Sequence, residues 1–196
     1  MKLRECFEYM APRSADALVV TSAGSSSAIW WDVTRSNQAF YLNASMSLSS
    51  MFASGIAVGF PDRPVWAFSG DGAFVMNAGM LFVERRMNLP NLKHFLISNH
   101  CYASTHEVDI SYTDHADYAG MARAAGIERT YTFDTIEDFK AGFEEAVMAD
   151  GHTFIVLNLE SAETNLRTPS LDGPEVKFRF GRQIEALTGR SIFTAK

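Results

Sequence analysis

Val65-Trp66-Ala67-Phe68-Ser69-Gly70-Asp71-Gly72-Ala73-Phe74-Val75-Met76-Asn77 decides how this chain folds. Val65 to Phe68 is apolar without alternation, as in a strand covered on both faces. The run stops at Gly70-Asp71-Gly72, and a helical pattern follows. A carboxylate between two glycines is either a plain turn or a seat for something charged. Glycines there let a backbone approach a ligand and turn successive N–H groups toward an anion.

Working outward, similar short runs recur at 17–20, 39–42, 94–97, 129–132 and 154–157. Helical patterns are expected between and around them, at 2–10, 25–34, 47–59, 77–88, 116–125, 136–149 and 175–188. In 77–88 the spacing places Met80, Val83 and Met87 on an apolar face, with Glu84, Arg85 and Arg86 opposite. Strands alternating with helices imply βαβ units. The expected fold is α/β: a doubly wound, mostly parallel sheet of about six strands in one domain, residues 1–196. Asn99 to His115 is long for a connection and is a candidate functional loop.

Composition narrows the partners. The 196 residues are 47% hydrophobic, which fits a globular domain with a full core. A net charge of −6 without a basic stripe argues against nucleic acid. No apolar stretch approaches the roughly 18–20 residues that span a bilayer, and the charged start Met1-Lys2-Leu3-Arg4-Glu5 is not a secretory h-region. Two distant cysteines, Cys6 and Cys101, form no disulfide framework, so a cytoplasmic location is expected.

Asp71 offers a hard oxygen suited to Mg²⁺. One helix and one strand later the chain reaches Asn99, 28 residues on. A strand–helix–strand crossover returns beside the strand it left, so Asp71 and Asn99 are expected side by side. A carboxylate oxygen, an amide oxygen and a nearby carbonyl would make half an octahedron, which a diphosphate and water could complete. Thr21-Ser22-Ala23-Gly24-Ser25 ends the first strand and opens a helix, a usual seat for phosphate oxygens.

Gly70-Asp71-Gly72 running to Ser98-Asn99, with Met76-Asn77, Asn88-Leu89-Pro90-Asn91 and Tyr102, resembles the thiamin-diphosphate motif. The resemblance spans about residues 15–160 and is nearest to the pyrophosphate-binding subunit of sulfopyruvate decarboxylases and the matching half of phosphonopyruvate decarboxylases. It implies thiamin diphosphate and Mg²⁺ as cofactors, with Asp71, Asn99 and the backbone carbonyl of Cys101 as metal ligands. Thr21, Gly24, Ser25, Gly70, Gly72, Ala73 and Tyr102 would complete the diphosphate cradle. Asn43-Ala44-Ser45-Met46-Ser47 is similar to the segment whose large apolar residue bends the cofactor; Met46 takes that part, and the Ala44 carbonyl would accept from the 4′-amino group. Family members have glycines where this chain has Ala44 and Ser47. The family tends to Thr-Gly-Gly-Gln where Thr105-His106-Glu107-Val108 stands here, which bears on the substrate.

The implied reaction is decarboxylation of a 2-oxo acid to an aldehyde and CO₂, with sulfopyruvate or phosphonopyruvate as substrate. The glutamate that activates the cofactor belongs to a pyrimidine-binding domain. No candidate for it stands in this sequence, so a partner subunit in a hetero-oligomer is expected to supply it.

Plainer readings stay open. A lone Gly-Asp-Gly is usually a turn, and a lone Asn at a strand end a turn former; Met46 alone reads as core. His100 and His106 are candidate acid–base groups because imidazole titrates near neutral pH, yet either could be a solvated loop histidine. His100, His106, His115, Cys101 and Asp109 match no standard zinc spacing. Trp30-Trp31 reads as core or interface, and Glu137, Asp138, Glu144 and Glu145 as the wet face of a helix. Alternatives are an acetolactate-synthase-like carboligase, a 2-oxoacid oxidoreductase subunit, or a non-catalytic nucleotide-sensing α/β module.

Overall fold

A computed structural model describes residues 1–42, 45–103, 108–110, 116–160, 169 and 172–193. In chain order these form α1 (Leu3–Met10), a 3-10 turn (Ala11–Arg13), β1 (Leu18–Thr21), α2 (Ser25–Thr34), β2 (Ala39–Tyr41), α3 (Ser49–Gly59) and β3 (Val65–Gly70). There follow α4 (Asp71–Val75), α5 (Met80–Met87), β4 (Leu92–Ser98), β5 (Cys101–Tyr102), β6 (Val108–Asp109) and α6 (Tyr118–Ala124). The chain closes with β7 (Thr130–Phe133), α7 (Ile136–Met148), β8 (Thr153–Asn158) and α8 (Gly173–Thr188).

Six strands form one sheet in the order β2-β1-β3-β4-β8-β7, and every ladder is parallel. The expected doubly wound α/β fold and all six expected strands are present. Successive side chains leave a strand on opposite faces, and both faces are apolar here because both are covered. Val19, Trp66, Phe68, Phe95, Ile97, Ile155 and Leu157 face one layer and pack with Phe7, Trp30, Phe139 and Phe143 of α1, α2 and α7. Leu18, Val20, Val65 and Ala67 face the other layer, with Ala53 and Ala57 of α3 and Phe180 and Ile184 of α8. Leu96, Phe154 and Val156 extend that layer under α5 and α6, against Met80, Leu81, Ala119 and Ala122. Small residues at 53, 57 and 67 let α3 lie close on the sheet, while Trp66 and Phe68 fill the thicker opposite face.

Caps set the helix ends. The Thr135 hydroxyl accepts from Asp138 N–H at 3.1 Å to start α7, and Asp172 accepts from Glu175 N–H at 2.8 Å to start α8. Asn91, of the Asn-Leu-Pro-Asn loop, acts as a structural tie. Its amide nitrogen lies 2.9–3.2 Å from the carbonyls of Ala57, Phe60 and Arg63, joining the end of α3 to the start of β4.

Two local expectations need correction. The helix expected over 77–88 begins only at Met80, as α5, and a separate short helix, α4, opens at Asp71 before it. The faces of α5 also differ: Glu84 is 1% exposed, whereas Phe82, Val83 and Met87 are at the surface. Helical spacing sorts residues by polarity alone. It does not register that His94, from β4, and His152, just before β8, supply partners that let a carboxylate turn inward. Trp30 is core, and Trp31 packs edge-on against Tyr41. Glu137, Asp138, Glu144 and Glu145 are exposed along α7 as expected. Among the described residues no helix is long and apolar enough to cross a membrane.

Candidate active site

The chain leaves β1 toward β2 and returns on the far side of β1 to make β3. Such a reversal opens a crevice at the carboxyl ends of β1 and β3, where α/β sheets bind ligands. A solvent-open cleft of about 480 Å³ lies there. Gly24, Ser25, Met46, Gly70, Asp71, Gly72, Ala73, Asn99, Cys101 and Tyr102, all singled out from the sequence, line it together.

The other candidates stand differently. Thr21 is fully buried at the end of β1; its hydroxyl pairs with Ser27 at 2.6 Å and does not reach the cleft wall. Ser22 and Ser26 line the cleft instead, with the Ser26 hydroxyl donating to the Ser22 carbonyl at 3.0 Å. The serine run at 25–27 is the sequence signal for Ser26, and Ser22 belongs to the loop at 21–25. His100 contributes backbone rather than a cleft-lining side chain. Ala44 and His106 lie outside the described residues.

Asp71 organises the floor. Its Oδ2 accepts from the backbone N–H groups of Asn99 (2.9 Å) and His100 (2.6 Å) and from the Ser98 hydroxyl (3.3 Å). Its Oδ1 accepts from Gly72 N–H at 2.8 Å. These bonds require the turn after β4 to fold back, and His100 adopts φ +60° to do so. A left-handed histidine costs energy that its surroundings must offset; here the offset is two N–H groups delivered to one carboxylate. Burial pushes the Asp71 carboxyl above the usual range, and the N–H groups of His100 and Gly72 oppose that.

Asn99 admits two amide orientations. With its nitrogen inward it donates to Asp71 Oδ1 at 3.2 Å and to the Cys101 carbonyl at 2.9 Å. With its oxygen inward, that oxygen stands at those same distances from the Asp71 and Cys101 oxygens, an arrangement that repels unless a cation sits among them. Adjacent ligands on an octahedral Mg²⁺ ion, with bonds of about 2.1 Å, stand about 3.0 Å apart. The two distances from Asn99 therefore match adjacent ligand positions of such a site.

The cradle around them is anion-friendly. Gly24, at φ +91°, precedes α2, whose first turn has no acidic residue and points its N–H groups at the cleft. Gly72 lies under the ring of Tyr102: a Cβ there would stand 2.6 Å from two ring carbons. The β5–β6 ribbon, which pairs Cys101 with Asp109 and Tyr102 with Val108, has no counterpart among the strands expected from sequence, and it holds this wall in place.

Comparison with known proteins agrees with this geometry. The family model described as thiamine pyrophosphate enzyme, C-terminal TPP binding domain, matches residues 22–157. A phosphonopyruvate decarboxylase of Streptomyces viridochromogenes is 27% identical over 172 residues, covering 87% of this chain and 43% of its own length. The sulfopyruvate decarboxylase subunit beta of Methanococcus maripaludis is 25% identical over 170 residues, covering 87% of this chain and 90% of its own. The chain thus spans less than half of the first relative and nearly all of the second. Among solved structures, benzoylformate decarboxylase from Polynucleobacter necessarius superposes with a TM-score of 0.72 at 17% identity, over 83% of this chain and 34% of that one. A thiamine diphosphate-dependent 4-hydroxybenzoylformate decarboxylase of Rhodococcus jostii gives 0.70 at 21%, over 84% and 33%; both likenesses concern the fold. The family match extends from the loop after β1 to the end of β8 and so takes in the whole crevice: the chain belongs to the C-terminal TPP-binding domains of the thiamine pyrophosphate enzymes.

Proposed function

We propose that this chain is the diphosphate- and Mg²⁺-binding subunit of a two-subunit, thiamin-diphosphate-dependent 2-oxo acid decarboxylase, acting on sulfopyruvate or phosphonopyruvate. The observation that carries the metal assignment is the convergence of Asp71 Oδ1, the Asn99 amide and the Cys101 carbonyl at 2.9–3.2 Å. These are hard oxygens in the donor set Mg²⁺ prefers, with room on the cleft side for phosphate and water.

When bound, thiamin diphosphate supplies the carbanion and electron sink needed to release CO₂ from a 2-oxo acid. This chain's residues bind and orient. The first turn of α2, with Ser25 and Ser26, would face the diphosphate oxygens, and Gly70 would leave the backbone open to them. Met46, 36% exposed and on the cleft wall, would be the apolar prop for the cofactor. The Ala44 carbonyl, offered by the resemblance, remains part of the reading as hydrogen-bond acceptor, and His106, offered by its imidazole chemistry, as acid–base group; His100 is the weaker acid–base candidate, since its backbone rather than its side chain meets the site.

A partner subunit would supply the activating glutamate. The surface beside the cleft favours docking: Met46, Leu48, Phe52, Val75 and Met76 are exposed large apolar side chains. The Met46 and Met76 loops are joined by Asn77 Nδ2 donating to the Ser47 carbonyl at 3.5 Å. The relative that this chain nearly spans is named a subunit, which supports a two-chain assembly.

The test supplies the complex that copurifies with this chain with sulfopyruvate, phosphonopyruvate and pyruvate in turn, and measures CO₂ and aldehyde. Release from an anionic 3-substituted substrate at least tenfold faster than from pyruvate is expected. Acetolactate as the main product, or no turnover with thiamin diphosphate and Mg²⁺ present, would overturn the reading. A second expectation concerns Gly72→Ala. The added methyl would displace the Tyr102 ring from the wall, so thiamin diphosphate affinity should fall about tenfold, near 1.4 kcal/mol. Isothermal titration in Mg²⁺ reads this, with unchanged far-UV circular dichroism as the control.

A further inference from the structure

Beneath the cleft runs a buried polar chain that the proposed function does not use. The Ser49 hydroxyl lies 2.7 Å from the Ser69 hydroxyl, and Ser69 Oγ lies 2.8 Å from His94 Nε2. His94 Nδ1 is 3.1 Å from Glu84 Oε2, which is also 3.0 Å from His152 Nε2; His152 Nδ1 is 3.1 Å from the Leu92 carbonyl. All five side chains are at most 5% exposed.

Hydrogen-bond chemistry fixes the acid end of the chain. The Leu92 carbonyl can only accept, from His152 Nδ1, and an ionised Glu84 can only accept, from His152 Nε2 and His94 Nδ1. His94 Nε2 is joined to the Ser69 hydroxyl, and that hydroxyl to Ser49. The order Ser–His–Glu matches that of a hydrolytic triad, but Ser69, His94 and Glu84 are sealed from solvent, so no substrate reaches the hydroxyl.

Burying a carboxylate and two imidazoles under α5 costs several kcal/mol per charge before pairing, and apolar residues of similar volume would often serve stability as well. The chain's serine end shows what it secures. Ser69 immediately precedes Gly70-Asp71, and Ser49 begins α3 just after the loop that carries Met46. His94 stands on β4, the strand that ends in Ser98 and leads into Asn99. Three separate segments of the cleft are thereby tied to one buried hydrogen-bonded line.

We propose that Ser49, Ser69, His94 and Glu84 form a positioning chain: it fixes the Met46 loop relative to the Asp71 loop, and so the distance between the apolar prop and the diphosphate grip. Its consequence for cofactor binding rests on the function proposed above; its mechanical part does not. None of the four is a catalytic residue, since none faces the cleft.

The experiment compares the full chain with Ser69→Ala, Ser49→Ala, the double variant, and Ser54→Ala as control. Ser54 lies on the same helix, with its hydroxyl donating only to the Ser50 carbonyl. Amide hydrogen exchange is followed at residues 47–52, and His94 Nε2 by ¹⁵N NMR. Ser69→Ala and Ser49→Ala should each speed exchange at 47–52 about tenfold and the double variant no further, as for two members of one chain. Ser69→Ala should also shift the Nε2 resonance, which loses its hydroxyl partner, and Ser54→Ala should change neither. Unchanged exchange, or effects that simply add, would overturn the positioning chain. Titration with thiamin diphosphate and Mg²⁺ is run in parallel, with affinity expected to fall about tenfold in the single variants. Wild-type protein, with its copurifying partner, that takes up no thiamin diphosphate would overturn the proposed function, while the exchange data still decide the mechanical claim.

Discussion

Asp71→Asn is expected to abolish the stabilisation that thiamin diphosphate with Mg²⁺ gives the wild-type protein. At a hundredfold over Kd that stabilisation is about 2.7 kcal/mol, or roughly 5–11 °C in Tm for a domain of 150–250 residues. Asparagine is the informative substitution. Asp71 accepts from three backbone N–H groups and the Ser98 hydroxyl, so alanine would leave those donors bare and loosen the turn that presents Asn99 and Cys101. Losing such charge-assisted bonds costs about 1.5–3 kcal/mol each, offset in part by relief of a buried charge. Asparagine keeps an acceptor oxygen and the side-chain volume while removing the charge. Differential scanning fluorimetry with and without ligand separates the two effects: Asp71→Asn should melt near wild type without cofactor and fail to respond to it. A full thermal response in Asp71→Asn would refute the metal assignment.

Glu84→Gln is expected to be the most destabilising conservative substitution in the domain. Glu84 is the acceptor shared by His94 and His152 in the core, and removing one partner of a buried charge pair costs about 3–5 kcal/mol. For a domain of this size that is roughly 6–20 °C in Tm. The pH dependence carries the same signature. Burial alone would raise the Glu84 carboxyl; the charge and hydrogen bonds of His94 and His152 more than reverse it and hold it well below the ordinary value of 4.5. A depressed folded pKa means the unfolded chain binds the proton more readily. The contribution is therefore complete above about pH 5 and is lost as pH falls through the acid range. Urea titrations at pH 7 and pH 4 should show the wild-type advantage over Glu84→Gln shrinking at the lower pH. An advantage independent of pH would contradict the assignment.

Legibility from sequence follows the range of the interactions. The six strands of the main sheet are readable because a strand covered on both faces must be apolar at every position, and that is a local property of short runs such as Phe95-Leu96-Ile97. The meeting of Asp71 and Asn99 is readable because a parallel crossover leaves little choice of neighbour. Glu84 is not, because its environment comes from β4 and from the turn before β8, 10 and 68 residues away. A loop motif points Thr21 at the phosphates, but its hydroxyl is committed to Ser27. The β5–β6 ribbon leaves no trace, since two-residue strands carry no period to detect.

By itself, then, the sequence determined the α/β architecture, the position of the crevice, and the residue types that stand around it. Backbone hydrogen bonding and two-sided burial impose those patterns one segment at a time. Only the tertiary structure decided which donors saturate Asp71, that the Asn99 amide stands between Asp71 and the Cys101 carbonyl, and that an acid buried on α5 is linked through a histidine to two serines. Those arrangements depend on distances between segments far apart in the chain, and side-chain periodicity holds no record of them.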